Sequence, residues 1–491
     1  MCELLQGLEY RHLRGDLGTP VEGLAYDSRK VCPGALFACL SGLQTDGHLH
    51  IEEALSSGAA AIMVREGKES LLPAQTSAAF AVTDTRMALA KLAAGFYDHP
   101  TAHLNLVGVT GTNGKSTTVH LIDLLHRAAG FSSGTIGTLA YRLNDESRPA
   151  ERTTPEAPDL QALLAEMHGE GITHVAMEVS SHALAQYRAD GCLFRIAVFT
   201  NLSRDHLDYH VDEEDYFSAK LRLFADSGFL PAQGKRVNIV NADDEAGKRI
   251  ASSALGDTIT YGVDSAAEVR ASDLNLSAEG SEFSLDTAWG QARISTPLLG
   301  RFNIYNVLAA LSVALAQEIP LETAVSVLGK ADAPTGRFQR LPSDKCTVVV
   351  DYAHTPDGLG KVLKTARDFC RGRLFVVFGC GGDRDQGKRP VMGEMASRLA
   401  DVCLITSDNP RSEDPEAIIS QILSGIPAQY KEKCLVEPDR AQAIRAAISR
   451  AGSDDLVLLA GKGHETYQIF ADRTIHFDDR EVAQEALEEK P

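Results

Sequence analysis

The chain has 491 residues, and its 48 Lys and Arg against 67 Asp and Glu leave a net charge of −19. At roughly 150 residues per domain this length suggests three domains, and 44% hydrophobic with 23% charged residues is globular composition, which excludes a disordered chain. The acidic balance argues against a general binder of nucleic acid or anionic membrane, because phosphate surfaces demand clustered Lys and Arg.

The first hundred residues carry short β-like runs at 59–64 and 79–82 and an alanine-rich helical stretch from Arg86 to Tyr97, stopped by Asp98-His99-Pro100. A first boundary falls there. A second segment opens with the strand-like 104–109 and continues through β-like runs at 174–179, 194–200 and 237–240, separated by helical stretches. That alternation predicts a mainly parallel, helix-covered sheet. A helical stretch over 303–317 leads to Asp332-Ala333-Pro334-Thr335-Gly336, a turn-rich second boundary. The third segment repeats the alternation at 347–350, 374–378, 402–406 and 456–459. The expected fold class is α/β, in three consecutive α/β domains, with chemistry at the loops beyond the carboxyl ends of the strands.

Nine cysteines, odd in number, dispersed and without a C-x-x-C, read as reduced thiols and not as a disulfide frame or zinc site. Residues 1–20 hold no apolar leader segment, and the most apolar run, 307–316, is far shorter than the ~20 residues a bilayer span needs. The expectation is a soluble cytoplasmic monomer with no membrane insertion.

Val107-Gly108-Val109 leads through Thr110-Gly111-Thr112-Asn113-Gly114-Lys115-Ser116-Thr117 into a predicted helix over 117–129. Backbone N–H groups and the helix N-terminus would cradle phosphate oxygens, Lys115 would neutralise the β/γ-phosphates, and the Ser116 hydroxyl would reach Mg²⁺. Val109 stands where the first glycine of the standard G-x-x-x-x-G-K-[ST] belongs.

This loop resembles the ATP loop of the Mur ligase family, which shares its core with folylpolyglutamate synthase. The likeness continues in order through Tyr26-Asp27-Ser28-Arg29, Glu178-Val179-Ser180-Ser181-His182, the stretch 201–210, Ala219-Lys220, Gly336-Arg337-Phe338, Asp351-Tyr352-Ala353-His354-Thr355-Pro356 and Gly461-Lys462-Gly463-His464-Glu465, essentially the whole chain. It implies a UDP-sugar-binding domain over 1–100, a central ATP-binding domain over 101–334 with a P-loop ATPase-like, mainly parallel sheet, and a Rossmann-like amino-acid-binding domain over 335–491. The implied activity is ATP-dependent amide ligation in cytoplasmic peptidoglycan precursor synthesis. ATP would phosphorylate a carboxylate of UDP-N-acetylmuramoyl-L-alanyl-D-glutamate, and the amine of meso-diaminopimelate would displace phosphate from the acyl phosphate. Such a reaction must shield clustered anions, position an amine and exclude water.

The resemblance assigns ATP to Gly111, Thr112, Asn113, Gly114, Lys115, Ser116 and Thr117, with Asn303, Asn306, Arg337, Asp351 and His354 closing around it from two domains. It makes Ser116, Glu178 and His206 Mg²⁺ contacts and turns Lys220 into N6-carboxylysine, supporting a second Mg²⁺; no organic cofactor is implied. Lys115, Glu178, His206 and Lys220 form the implied catalytic set. Without the family, Glu178 and His206 would read as a buried hydrogen bond, and Lys220 as a snorkelling cation on a helix over 213–225 whose apolar face is Tyr216, Phe217, Leu221 and Phe224. Carbamylation requires a partly desolvated, neutral amine. The UDP-muramoyl-dipeptide is assigned to Tyr26, Ser28, Leu43, Gln44, Thr45, Arg152, Thr153, Thr154, Ser180, Gln186 and Arg188; Arg152 stands where the family carries Asn. Diaminopimelate is assigned to Arg384, Asp408, Asn409, Pro410, Arg411, Gly461 and Glu465. It exceeds lysine by one distal carboxylate, which an arginine fork such as Arg411 suits, while Asp408 and Asn409 could receive the distal ammonium. The alternatives are a lysine-adding relative, a folylpolyglutamate synthase-like ligase, and a nucleotide switch, which would have no need of Glu178, His206 and Lys220.

Overall fold

Runs of consecutive apolar residues become the inner strands of three α/β sheets. The computed structural model describes residues 1–489 apart from Cys2, Leu43, Gln44, Asp208 and 232–234. The chain divides into two compact units, Met1–Val269 with Ala309–Pro320, and Arg270–Leu308 with Leu321–Pro491.

The first unit contains one whole sheet and the strands of a second that precede Val269. Strands β1 (Arg11–Arg14), β2 (Gly23–Ala25), β3 (Ala35–Ala38), β4 (Ala61–Arg65) and β5 (Ala79–Val82) are ordered β1-β5-β4-β3-β2, parallel except for β1. Helices α1 (Ile51–Ser56) and α2 (Thr85–Phe96) accompany it, the latter capped by Asp84, whose carboxylate accepts from the Arg86 and Met87 N–H groups.

The second sheet begins at β6 (Asn105–Thr110), followed by α3 (Lys115–Ala128), β7 (Ser133–Ile136), β8 (Ala140–Leu143), β9 (Glu146–Pro149), α4 (Ala157–Gly169), β10 (His174–Glu178), α5 (Ser181–Ala185), β11 (Ile196–Phe199), α6 (Glu213–Ala225), β12 (Val237–Asn241), α7 (Glu245–Ser253) and β13 (Asp257–Gly262). Strand β6 sits between β10 and β11, all parallel. Their three carboxyl-end loops therefore open on one edge, at the crevice where such sheets bind ligands.

In the second unit, β14 (Val269–Leu276) precedes an antiparallel hairpin of β15 (Ser281–Thr287) and β16 (Gly290–Thr296). Helix α8 (Arg301–Ala316) passes from this unit into the first after Leu308, and α9 (Leu321–Leu328) packs on β16. The third sheet runs β17-β18-β22-β19-β20-β21, from β17 (Gln339–Leu341), β18 (Thr347–Asp351), β19 (Leu374–Phe378), β20 (Val402–Ile405), β21 (Cys434–Val436) and β22 (Leu456–Ala460), parallel but for β17. Helices α10 (Pro356–Phe369), α11 (Lys388–Leu399), α12 (Pro415–Ser424), α13 (Arg440–Arg450) and α14 (Asp479–Glu489) cover it, and a small hairpin joins β23 (Tyr467–Ile469) to β24 (Thr474–His476). Among the described residues no helix is long and apolar enough to cross a membrane.

Candidate active site

The loop after β6 has a backbone geometry suited to phosphate. Gly111 has φ +145°, and a Cβ there would lie 1.9 Å from Thr200 Oγ1, so only glycine fits. Gly114, at φ +85°, caps α3 and turns the loop N–H groups toward the helix entrance. The end of β11 braces this loop: the Thr200 hydroxyl donates to the Asn113 carbonyl at 2.6 Å, and Asn113 N–H donates to Asn201 Oδ1 at 3.0 Å. Lys115 folds back over the loop, donating to the carbonyls of Gly111 (3.0 Å) and Thr112 (2.9 Å).

Glu178 ends β10 and is 2% exposed. Its Oε1 accepts from the Ser116 hydroxyl at 2.9 Å and Thr138 N–H at 2.8 Å, while Oε2 accepts from the Thr138 hydroxyl at 3.3 Å. Thr153 joins through the Thr138 hydroxyl at 3.0 Å, and Thr154 donates to the Glu178 carbonyl at 2.8 Å. The hydroxyl–carboxylate pair of Ser116 and Glu178 supplies hard oxygen ligands beside the phosphate loop and so fits Mg²⁺. Among the described residues no three His, Cys, Asp or Glu could hold an ion by themselves. Magnesium suits such a site, because it draws its remaining ligands from phosphate and water.

His206 has φ +53°, and its ring packs on His182 (4.8 Å) and Tyr216 (6.0 Å). Lys220 lies on α6, 1% exposed, and donates to the same Gly111 carbonyl as Lys115, at 3.0 Å, with its ammonium 4.4 Å from the Tyr216 ring centre. Burial, then the neighbouring Lys115, hold it well below the usual lysine range, against a weaker pull from Asp205. The Tyr216 hydroxyl meets Thr112 Oγ1 at 3.0 Å, and burial raises its pKa to about 12. On this helix Leu223, not Leu221, takes the fully buried position.

Elsewhere in the first unit, Tyr26 donates to Asp159 (2.5 Å), Ser28 donates to Glu53 (2.7 Å), and Thr45 shares a 3.0 Å hydrogen bond with His50. Leu43 and Gln44 lie outside the described residues. Arg188 donates to Gln186 Oε1 at 2.6 Å and to the Thr154 carbonyl at 3.3 Å, Gln186 donates to Tyr209, and Ser180 caps α5 by accepting from Ala183 N–H. Arg188 (3.0 Å), Arg152 (3.7 Å) and Arg86 (3.0 Å) surround the carboxylate of Glu156, which is 5% exposed. Glu156 and Arg86 were not legible as site residues: 70 positions separate them, and no motif marks either.

In the second unit, Asn303 and Asn306 are buried in α8, donating to the Leu299 carbonyl and to Asn303 Oδ1, each at 2.9 Å. Asp351 ends β18 and accepts from the N–H groups of Phe338 (2.7 Å) and Ala353 (2.8 Å), while the Arg337 guanidinium lies over the Tyr352 ring at 5.0 Å. The exposed His354 donates from Nδ1 to the Tyr352 carbonyl at 2.9 Å. Asp351 thus holds the turn that carries Arg337.

The loops after β20 and β22 meet. Asn409 donates to Glu465 at 2.9 Å, and a Cβ on Gly461 would lie 3.1 Å from Asp408 Oδ2. Arg411, at φ +51°, follows the buried Pro410 and donates to the Gly382 carbonyl at 2.8 Å; the exposed Arg384 donates to the Asp383 carbonyl at 3.1 Å. Lys462, fully buried between Asp408, Asn409 and Glu465, was missed as a site residue although it lies inside the Gly461–Glu465 motif.

Three family descriptions match the chain: the Mur ligase family catalytic domain over residues 20–97, the Mur ligase middle domain over 109–314, and the Mur ligase glutamate ligase domain over 336–463. The UDP-N-acetylmuramoyl-L-alanyl-D-glutamate--2,6-diaminopimelate ligase of Geobacillus kaustophilus is 44% identical, over 96% of this chain and 96% of that protein. The enzyme of the same name from Bacillus velezensis is 43% identical over 100% of this chain and 99% of its own length. A solved structure of a ligase of that name superposes with a TM-score of 0.70 at 35% identity, covering 96% of this chain and 95% of the other. A loop suited to phosphate and braced by neighbouring strand ends, a second α/β unit with its own polar strand-end loops, and this full-length likeness agree, and the chain belongs to the Mur ligase family.

Proposed function

We infer that the chain is an ATP-dependent amide ligase that joins meso-2,6-diaminopimelate to UDP-N-acetylmuramoyl-L-alanyl-D-glutamate in peptidoglycan precursor synthesis. The observation that carries this reading is the 44% identity to a ligase of that name over 96% of both chains.

The residues divide the work. The loop N–H groups of 111–116, with Lys115, orient the triphosphate and neutralise its charge as the dipeptide carboxylate attacks the γ-phosphorus and ADP leaves. Ser116 and Glu178 would hold Mg²⁺, which when bound neutralises phosphate charge. The Arg188 and Arg152 guanidiniums, fixed by Glu156, face the acid groups of the peptide substrate. The amine then attacks the acyl carbon and phosphate leaves. Arg411 takes the distal carboxylate of the diamino acid, Asp408 takes an ammonium, and Asn409 and Glu465 line the same pocket. Lys220 is proposed to react with CO₂: the neutral amine forms the N–C bond, releases a proton and becomes a carbamate. Its burial and weakened basicity support that step.

With ATP, Mg²⁺ and both co-substrates, the chain should yield ADP, phosphate and the UDP-linked tripeptide, detected by mass spectrometry, and omitting either co-substrate should stop ATP turnover. Steady ATP hydrolysis without them would mark a nucleotide switch and overturn the reading.

A further inference from the structure

An ammonium is rarely fully buried, and Lys462 is. Its Nζ stands 3.2 Å from Asn409 Oδ1, 3.4 Å from Glu465 Oε2 and 3.6 Å from Asp408 Oδ1, with the Tyr467 ring centre at 5.7 Å. The two carboxylates are not served equally. Glu465 receives both Lys462 and the Asn409 amide, the latter at 2.9 Å. Asp408 Oδ1 is buried and has no hydrogen-bond partner among the described residues. Behind the loop, Arg440 and Asp479 form a fully buried pair that cancels its own charge. Among these three side chains two carboxylates share one ammonium, and Asp408 Oδ1, paired with it only at 3.6 Å, has no hydrogen bond of its own. Leaving such an oxygen unserved is costly unless a ligand supplies the proton.

We propose that Lys462 is a positioning residue for the amine substrate: it neutralises Glu465 and fixes Asn409, leaving Asp408 to receive one ammonium of an incoming diamino acid. This rests on the ligase reading above. Lys462 itself touches no reacting atom. It sets the charge count of the pocket and the geometry of the Asn409 amide, whose oxygen also accepts from Ile469 N–H at 3.0 Å.

The test measures KM for meso-diaminopimelate and for ATP in Lys462→Met, Asp408→Asn, the double variant and Lys462→Arg, with a melting midpoint for each. Either charge-changing single variant should raise KM for the diamine about tenfold, the loss of one charge-assisted hydrogen bond, while KM for ATP stays within about twofold. The double variant restores one surplus negative charge and should bind the diamine better than Asp408→Asn alone. Lys462→Arg keeps the charge and should stay near wild type. If Lys462→Met does not fold, Lys462→Gln, which removes the charge but keeps a donor toward Asn409, takes its place in the single and double variants. An unchanged diamine KM in Lys462→Met, a double variant no better than Asp408→Asn, or a parallel rise in KM for ATP would overturn the proposal. A wild-type chain that does not use diaminopimelate at all would overturn the ligase reading, and this inference with it.

Discussion

Lys220 shows how a residue's chemistry is set by what surrounds it. On a solvent-facing helix it would be a full cation; against Gly111, Tyr216 and Lys115 it is desolvated and its charged form is disfavoured. Lys220→Ala should lower kcat about 100-fold or more, and Lys220→Arg should fare no better, because a guanidinium does not take up CO₂. Steady-state rates measured with and without added bicarbonate check this, and full activity in Lys220→Ala would end the carbamate proposal. Arg411→Ala should raise KM for diaminopimelate about 100-fold while leaving KM for ATP unchanged, since it strands one carboxylate in the pocket. The phosphate-loop residues were legible because their function is local: strand, glycines, lysine and hydroxyl are consecutive. Lys462, Glu156 and Arg86 were not, because each draws its role from partners far away in sequence, as with the 53 positions between Lys462 and Asn409.

At the scale of elements, legibility followed burial. Strands such as β4, β10 and β19 are parallel and covered on both faces, so their interiors read as apolar runs. The antiparallel β8 and β9, with sequences AYRL and ESRP, are half-exposed or exposed apart from the buried Leu143 and carry no such signal. The α13–α14 contact was equally invisible, since it depends on Arg440 donating to Asp479 across 39 positions with both side chains fully buried. Removing one partner leaves a buried charge uncompensated, so Asp479→Ala should cost about 3–5 kcal/mol, read as a lowered midpoint in denaturant or heat. In the loop after β6, Gly111→Ala should abolish ATP binding measured by calorimetry, because its Cβ would overlap Thr200 Oγ1.

For the whole molecule, the alternation of apolar runs and helical stretches sufficed for the α/β class and its mainly parallel sheets. The sequence pattern did not foretell that β14–β16 cluster with the second compact unit, because that grouping depends on packing and not on order along the chain. Activity should be lost on chelation with EDTA and return with Mg²⁺, since the Ser116–Glu178 pair offers an ion too few ligands without phosphate. The most direct measurement sets amines in competition: phosphate release from ATP and UDP-N-acetylmuramoyl-L-alanyl-D-glutamate with meso-diaminopimelate or L-lysine. Release driven by diaminopimelate, with lysine slower by orders of magnitude, is the expected result. Faster release with lysine, or release that needs neither amine, would contradict it.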